Sequence, residues 1–145
     1  MVDNVSSATR SKIMRAIKST GTKPERIVRR VVRELGVGYR LKSPKLPGKP
    51  DLIFPGRRKV IFVNGCFWHA HFRSAIFCRL AREPSGDYWK ERLALNAGRD
   101  ERVIAELRQI GWSALVIWEC QLGDIFAVRN TILEFLRNEE QPHEA

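Results

Sequence analysis

Long apolar runs are absent from this 145-residue chain. None approaches the roughly 20 residues that a bilayer-spanning helix needs, so a membrane location is not expected. The first residues carry Asp3, Arg10 and Lys12 with no apolar stretch behind them, which predicts no secretory signal. Cysteine is scarce and odd in number, with only Cys66, Cys78 and Cys120. Three thiols cannot close a disulfide framework and instead argue for a reducing, cytoplasmic setting. Internal repeats and linker-like stretches are also missing, so one domain is expected over residues 1–145. Acidic residues are few in one segment. Between Arg10 and Lys42 there are 11 Lys or Arg against Glu25 and Glu34 alone, which is +9 of the total +10. A basic block of that kind fits a surface that meets phosphates and gains from counterion release. A solvated helix face is the plainer alternative.

What is present is concentrated between Lys59 and His71, reading Lys-Val-Ile-Phe-Val-Asn-Gly-Cys-Phe-Trp-His-Ala-His. A strand-like run, Val60 to Val63, leads to Gly65. Then a thiol, two large rings and two imidazoles fall within six consecutive positions. Core segments seldom place such chemistry at a strand end, whereas metal and catalytic sites do.

The rest of the chain frames this motif. Thr9 to Ser19 is expected to be a basic helix within a DNA-contacting arm, residues 1–22. Thr22-Lys23-Pro24-Glu25 resembles a helix start with a capping box, and Gly36 ends that helix. Strands are expected at Gly38 to Lys42, Asp51 to Phe54 and Lys59 to Val63, the last two joined as a hairpin through Pro55-Gly56. Tyr88 to Ile110 reads as a long helix, Trp112 to Trp118 as a buried strand and Asp124 to Leu136 as a closing helix. Residues 138–145 read as a disordered tail. The predicted class is α/β, a mixed sheet flanked by helices. Its α-β-β-β-α-β portion has the element order of restriction-endonuclease-like nucleases.

Asp51, at a strand start after Pro50, can ligate Mg²⁺ through hard oxygens; Pro-Asp also opens many ordinary turns. The next strand ends in Val63-Asn64-Gly65, with no second carboxylate and no lysine. A backbone carbonyl and a different base would have to substitute. His69 can be that base, since a neutral imidazole can accept a proton from water. His69 and His71 both have spacing suitable for metal ligation with Cys66, and spacing alone does not choose between them. Cys66, His71, Cys78 and Cys120 would make a tetrahedral Cys₃His zinc site; three buried inert thiols are the alternative. Phe67 and Trp68, adjacent on an extended segment, would point to opposite sides. Rings exposed beside a basic surface can stack on bases or wedge between them. Trp89 and Met14 are further wedge candidates or core residues. Glu25 is either the capping-box acid or a partner of the catalytic water. Asp100 is either a site residue or a solvated ion pair with Arg99 and Arg102.

Together these residues resemble the very short patch repair (Vsr) DNA mismatch endonucleases. The anchors are Ala8-Thr9-Arg10-Ser11-Lys12 with Met14-Arg15-Ala16-Ile17, Leu46-Pro47-Gly48 with Pro50-Asp51, Val60-Ile61-Phe62 into Gly65-Cys66-Phe67-Trp68-His69, and Val116-Ile117-Trp118-Glu119-Cys120. The resemblance implies a restriction-endonuclease-like fold with a structural zinc. It implies Mg²⁺-dependent hydrolysis of one strand of duplex DNA, 5′ to the thymine of a T·G mismatch, by a monomer acting on the nucleoid. Asp51 and the main-chain carbonyl of Val63 would hold magnesium, and His69 would be the base, supported by Glu25 and Asp100. Zinc would be held by Cys66, His71, Cys78 and Cys120. Phe67, Trp68, Trp89 and Met14 would open the duplex, with Arg10, Lys12, Arg15 and Asn64 among the DNA contacts. The chain departs from the family pattern twice. Six residues separate His71 from Cys78 where the family commonly has His-x-Cys, and Val63-Asn64 stands where it has Thr-His.

Overall fold

A computed structural model describes residues 21–41, 43, 45–73, 78 and 83–138. The expected basic helix Thr9 to Ser19, with Arg10, Lys12, Met14 and Arg15, lies outside the described residues, as do residues 139–145 of the tail. Helix α1 (Lys23–Glu34) is followed by strands β1 (Leu52–Phe54) and β2 (Lys59–Asn64), helix α2 (Asp87–Gln109), strand β3 (Ser113–Trp118) and helix α3 (Ile125–Arg137). The sheet order is β1-β2-β3, with β1 antiparallel and β3 parallel to β2. This is the expected mixed α/β sheet flanked by helices.

Side chains alternate across the sheet with the period of two that a pleat imposes. Leu52, Phe54, Ile61, Val63 and Ile117 face one way. They pack against Val28, Val31 and Val32 of α1 and Val128, Ile132 and Phe135 of α3. Ile53 and Val60 face the other way, against Leu107 of α2, with Phe62, Val103, Trp112 and Ala114 around them. The sheet is thus covered on both sides, and β2 is its central strand.

Several expectations are corrected. Of the expected strand Gly38 to Lys42, the described residues form a single bridge, in which Arg40 and Ile53 exchange two 2.8 Å backbone hydrogen bonds. Of β3 only Ile117 is fully buried, because β3 is an edge strand. The capping box forms only in part. Thr22 accepts the Glu25 N–H, but the Glu25 carboxylate turns to the Gly21 N–H at 2.7 Å rather than back to Thr22. The hairpin forms as expected, through Pro55–Arg57 with Arg58 in the left-handed region at φ 53°.

Lys59 enters β2 with a buried ammonium. It donates to the carbonyls of Phe135 and Asn138 and lies 5.1 Å from the Phe135 ring centroid. Arg57 donates to the Leu136 carbonyl at 2.8 Å. Two cations thereby satisfy carbonyls at the C-terminal end of α3, where the helix leaves them unpaired and the dipole is negative. This ties α3 to the start of the strand whose other end carries the site.

Candidate active site and metal centre

β2 and β3 run parallel, and a cleft of about 600 Å³ opens beyond their C-terminal ends, between the sheet and α2. Open α/β sheets place ligands at such ends. Asp51, Glu25, Val63, Asn64, Trp68, His69 and Asp100 all line this cleft, so seven of the expected site residues converge from α1, the start of β1, β2, the loop after β2 and α2.

Asp51 sits where β1 has not yet begun. Its backbone N–H reaches the Ile61 carbonyl at 3.0 Å, and its carboxylate accepts the Val63 N–H at 2.6 Å. In an extended strand a residue's N–H and C=O leave on the same edge, so the Val63 carbonyl shares the edge that faces Asp51. Burial, opposed in part by the Val63 hydrogen bond and reinforced by the neighbouring Glu25 carboxyl, pushes the Asp51 carboxyl up to about 7. An acid so placed is costly to ionise without a compensating cation.

Glu25 is 4% exposed. Besides the Gly21 N–H it accepts from Arg29 Nη2 at 3.2 Å. It thus organises the helix start and stands beside Asp51. Asp100 is not a solvated partner of Arg99 or Arg102. Its Oδ2 lies 2.6 Å from His69 Nδ1. One turn earlier on α2, Asn96 donates to the Trp68 carbonyl at 3.0 Å, so α2 holds both the histidine ring and the backbone before it. The role of Asn96 was not legible in the sequence, since an Asn on a long polar helix carries no distinguishing signal. Asn64 is buried, at 7% exposure, in the cleft wall.

After Gly65 the chain turns rather than extending. His69 N–H bonds to the Gly65 carbonyl, His71 N–H to that of Cys66, and Ala70 takes φ 53°. Phe67 and Trp68 consequently do not diverge. Their rings meet edge to face at 5.1 Å. Trp89, which the sequence left as either a wedge or a core residue, is buried, 2% exposed. It lies 5.6 Å from both Phe67 and Trp68 and backs the pair.

The turn also separates the two imidazoles. While His69 enters the cleft, His71 joins Cys66, Cys78 and Cys120, and their ligand atoms all lie within 4.8 Å of one another. Cys120 N–H reaches Cys66 Sγ at 3.3 Å, and Cys120 Sγ is 3.5 Å from His71 Nδ1. Zn–S bonds of about 2.3 Å in a tetrahedron imply sulfurs just under 4 Å apart, so this soft donor set fits a metal. Burial pushes the Cys66 and Cys120 thiols up and the His71 imidazole down. The Trp118 ring stacks on His71 at 3.9 Å and 6°. The six-residue separation between His71 and Cys78 does not keep Cys78 from the cluster.

The family model described as DNA mismatch endonuclease Vsr matches residues 2–74. The chain belongs to this Vsr family. It is 38% identical over 138 residues to the type II nicking enzyme V.XorIIP of Xanthomonas oryzae pv. oryzae, covering 94% of this chain and 98% of that protein. It is 39% identical over 124 residues to the DNA mismatch endonuclease Vsr of Escherichia coli K12, covering 84% and 76%. In fold it is similar to the catalytic domain of the homing endonuclease I-Bth0305I, with a TM-score of 0.55 and 23% identity over 79% of this chain and 94% of that one. As a Vsr-family member the chain is a DNA endonuclease. Among the described residues no helix is long and apolar enough to cross a membrane.

Proposed function

We propose that this Vsr-family endonuclease nicks one strand of duplex DNA 5′ to the mispaired thymine of a T·G mismatch, with magnesium at Asp51. The observation that carries the reading is the shared cleft of Asp51 and His69, with Asp100 bonded to Nδ1 of that imidazole. Magnesium, when bound, supplies Lewis-acid stabilisation of the leaving oxygen and a more acidic water. Asp51 offers the carboxylate, oriented by the Val63 N–H, and Val63 offers its carbonyl on the same edge. Asp100 fixes the His69 tautomer with the proton on Nδ1, which leaves Nε2 free to accept a proton from the attacking water. Glu25 sets the electrostatics of Asp51 from α1.

Phe67 and Trp68, backed by Trp89, serve as the wedge that opens the mismatched step, at a cost of a few kcal/mol that stacking offsets. Residues 1–22 supply further contacts through Arg10, Lys12, Met14 and Arg15, and Asn64 lies where the strand passes β2. Zinc at Cys66, His71, Cys78 and Cys120 is structural, because four protein donors leave no open position. The enzyme acts as a monomer on nucleoid DNA in the cytoplasm.

The test is a panel of labelled matched, T·G-mismatched, otherwise mismatched and branched duplexes, with and without Mg²⁺. The expected result is a single nick 5′ to the T of the T·G duplex that needs Mg²⁺ and disappears in Asp51→Ala. Equal nicking by Asp51→Ala would remove Asp51 from the chemistry. Binding without cleavage in any divalent metal would make the chain a mismatch-binding protein on a nuclease scaffold. Cleavage confined to another substrate of the panel would reassign the specificity.

A further inference from the structure

Among the described residues, the lining of the cleft holds more carboxyl groups than basic side chains. Glu25, Asp51, Asp100 and Glu119 line it, and the only lysine or arginine side chains among the described residues lining it are Lys49 and Arg99. Neither makes an ion pair with another described residue, and both are exposed at the rim. A phosphodiester entering this cleft brings a further negative charge and, among the described residues lining it, meets two basic side chains.

The backbone gives an independent reason to single out Lys49. Gly48 and Lys49 are consecutive left-handed residues, with φ 81° and 50°. At Gly48 the conformation has an evident cause. A Cβ there would lie 2.1 Å from Val103 Cγ1, so the turn is seated directly on α2, one helical turn beyond Arg99 and on the face that carries Asp100. At Lys49 the same conformation strains a residue with a side chain, and the following Pro50 narrows its choices further. Glycine would relax this position, yet a lysine occupies it. Outliers of this kind cluster at ligand clamps.

We propose that Lys49 and Arg99 form a phosphate clamp at the cleft rim, gripping the backbone of the bound strand so that a phosphodiester is held in register with Asp51 and His69. The inference rests on the nuclease reading of this cleft and extends it to the residues that position the phosphate. β2 offers no lysine at its cleft end. The clamp supplies positive charge from the turn before β1 and from the stretch of α2 next to it.

The experiment uses the full chain with Lys49→Met, Lys49→Arg, Lys49→Gly and Arg99→Gln. Affinity for matched and T·G duplexes is measured with Ca²⁺ in place of Mg²⁺ over a salt series, single-turnover nicking with Mg²⁺, and melting temperature without DNA. Lys49→Met and Arg99→Gln should each weaken binding roughly 10-fold on both duplexes and lower the slope of log affinity against log salt by about 1. Lys49→Arg should retain the slope. Lys49→Gly should bind as weakly as Lys49→Met while melting at or above the wild-type temperature, because it relieves the left-handed strain. A merely structural lysine would lose stability in Lys49→Gly and leave the salt slope unchanged. Unchanged affinity and slope in Lys49→Met, or equal losses in Lys49→Met and Lys49→Arg, would overturn the clamp. Should the wild type nick no mismatched duplex, the nickase reading falls, while the salt slopes still decide the clamp.

Discussion

At the scale of single residues, the proposed mechanism depends on where protons are held. Asp100 holds His69 Nδ1 at 2.6 Å, and Asp100→Asn would keep the shape while removing the charge that stabilises an imidazolium. Loss of that support is expected to cut single-turnover nicking about 100-fold or more, with duplex affinity and melting temperature little changed. A parallel fall in affinity would make Asp100 a binding residue instead. Asp51 makes a prediction of the opposite character, one about stability. Its folded-state carboxyl is raised from 3.8 to about 7, so the folded chain binds more protons than the unfolded one between those values. Stability from this group is therefore fully present below about pH 4 and declines as pH rises to about 7. The change amounts to no more than about 4 kcal/mol, at about 1.4 kcal/mol per pKa unit. Asp51→Asn keeps an acceptor for the Val63 N–H and removes the charge. Without added magnesium it should melt higher than wild type at pH 8, with the gap closing towards pH 4. Melting curves at the two pH values check this, and a variant less stable at pH 8 would contradict it.

At the scale of elements, strand β2 and helix α2 divide the work. β2 ends in the turn that sends His69 into the cleft and His71 into the cluster. α2 holds that turn through Asn96 and Asp100 and seats the Gly48 turn through Val103. Gly48→Ala places a methyl inside the contact distance of Val103 and in a conformation that favours glycine. Overpacking of this kind should cost about 1–3 kcal/mol and weaken nicking, because the turn leads directly to Asp51. Adding Val103→Ala should restore part of the loss by removing the two γ carbons that clash. Thermal melts of the single and double variants test the pair; no recovery in the double variant would place the cost in the backbone alone. The main elements were legible because their signals are local. The Thr22 cap and the valine stripe marked α1, Pro55-Gly56 marked the hairpin, and the apolar run ending at Gly65 marked β2. The turn after Gly65 was less legible. Its residues read as extended, and only the Gly65 and Cys66 carbonyl hydrogen bonds fold Phe67 and Trp68 onto one side. The expected strand at Gly38 to Lys42 failed for a related reason, since pairing across one bridge depends on a partner that local sequence does not reveal.

At the scale of the whole molecule, the catalytic cleft and the metal cluster are two ends of one construction. The cluster joins the turn after β2 to the segment after β3, and Trp118 lies between them. It stacks on His71 at 3.9 Å and meets His69 edge-on at 6.4 Å. Which histidine served which centre was not decidable by spacing, because both spacings suit a chelate. The family resemblance selected His71, and the fold separates the two rings accordingly. Met14 and the basic arm remain proposals, since they fall outside the described residues. The distance of Cys78 from His71 along the chain is no obstacle, because ligation needs proximity in space and not in sequence. With metal absent, three buried or half-buried thiols and a buried imidazole crowd together without the ion that their donor set fits, and the β2 turn loses its tie to β3. If zinc occupies the cluster as proposed, Cys120→Ser should lower zinc content below the one equivalent per chain expected of the wild type and cost several kcal/mol of stability. Nicking should fall through disordering of His69 and not through loss of magnesium at Asp51. Zinc stoichiometry, melting temperature and magnesium titration of residual nicking separate these effects. Full zinc content in Cys120→Ser would remove Cys120 from the ligand set. Normal nicking by a zinc-depleted variant would show that the cleft stands without the cluster.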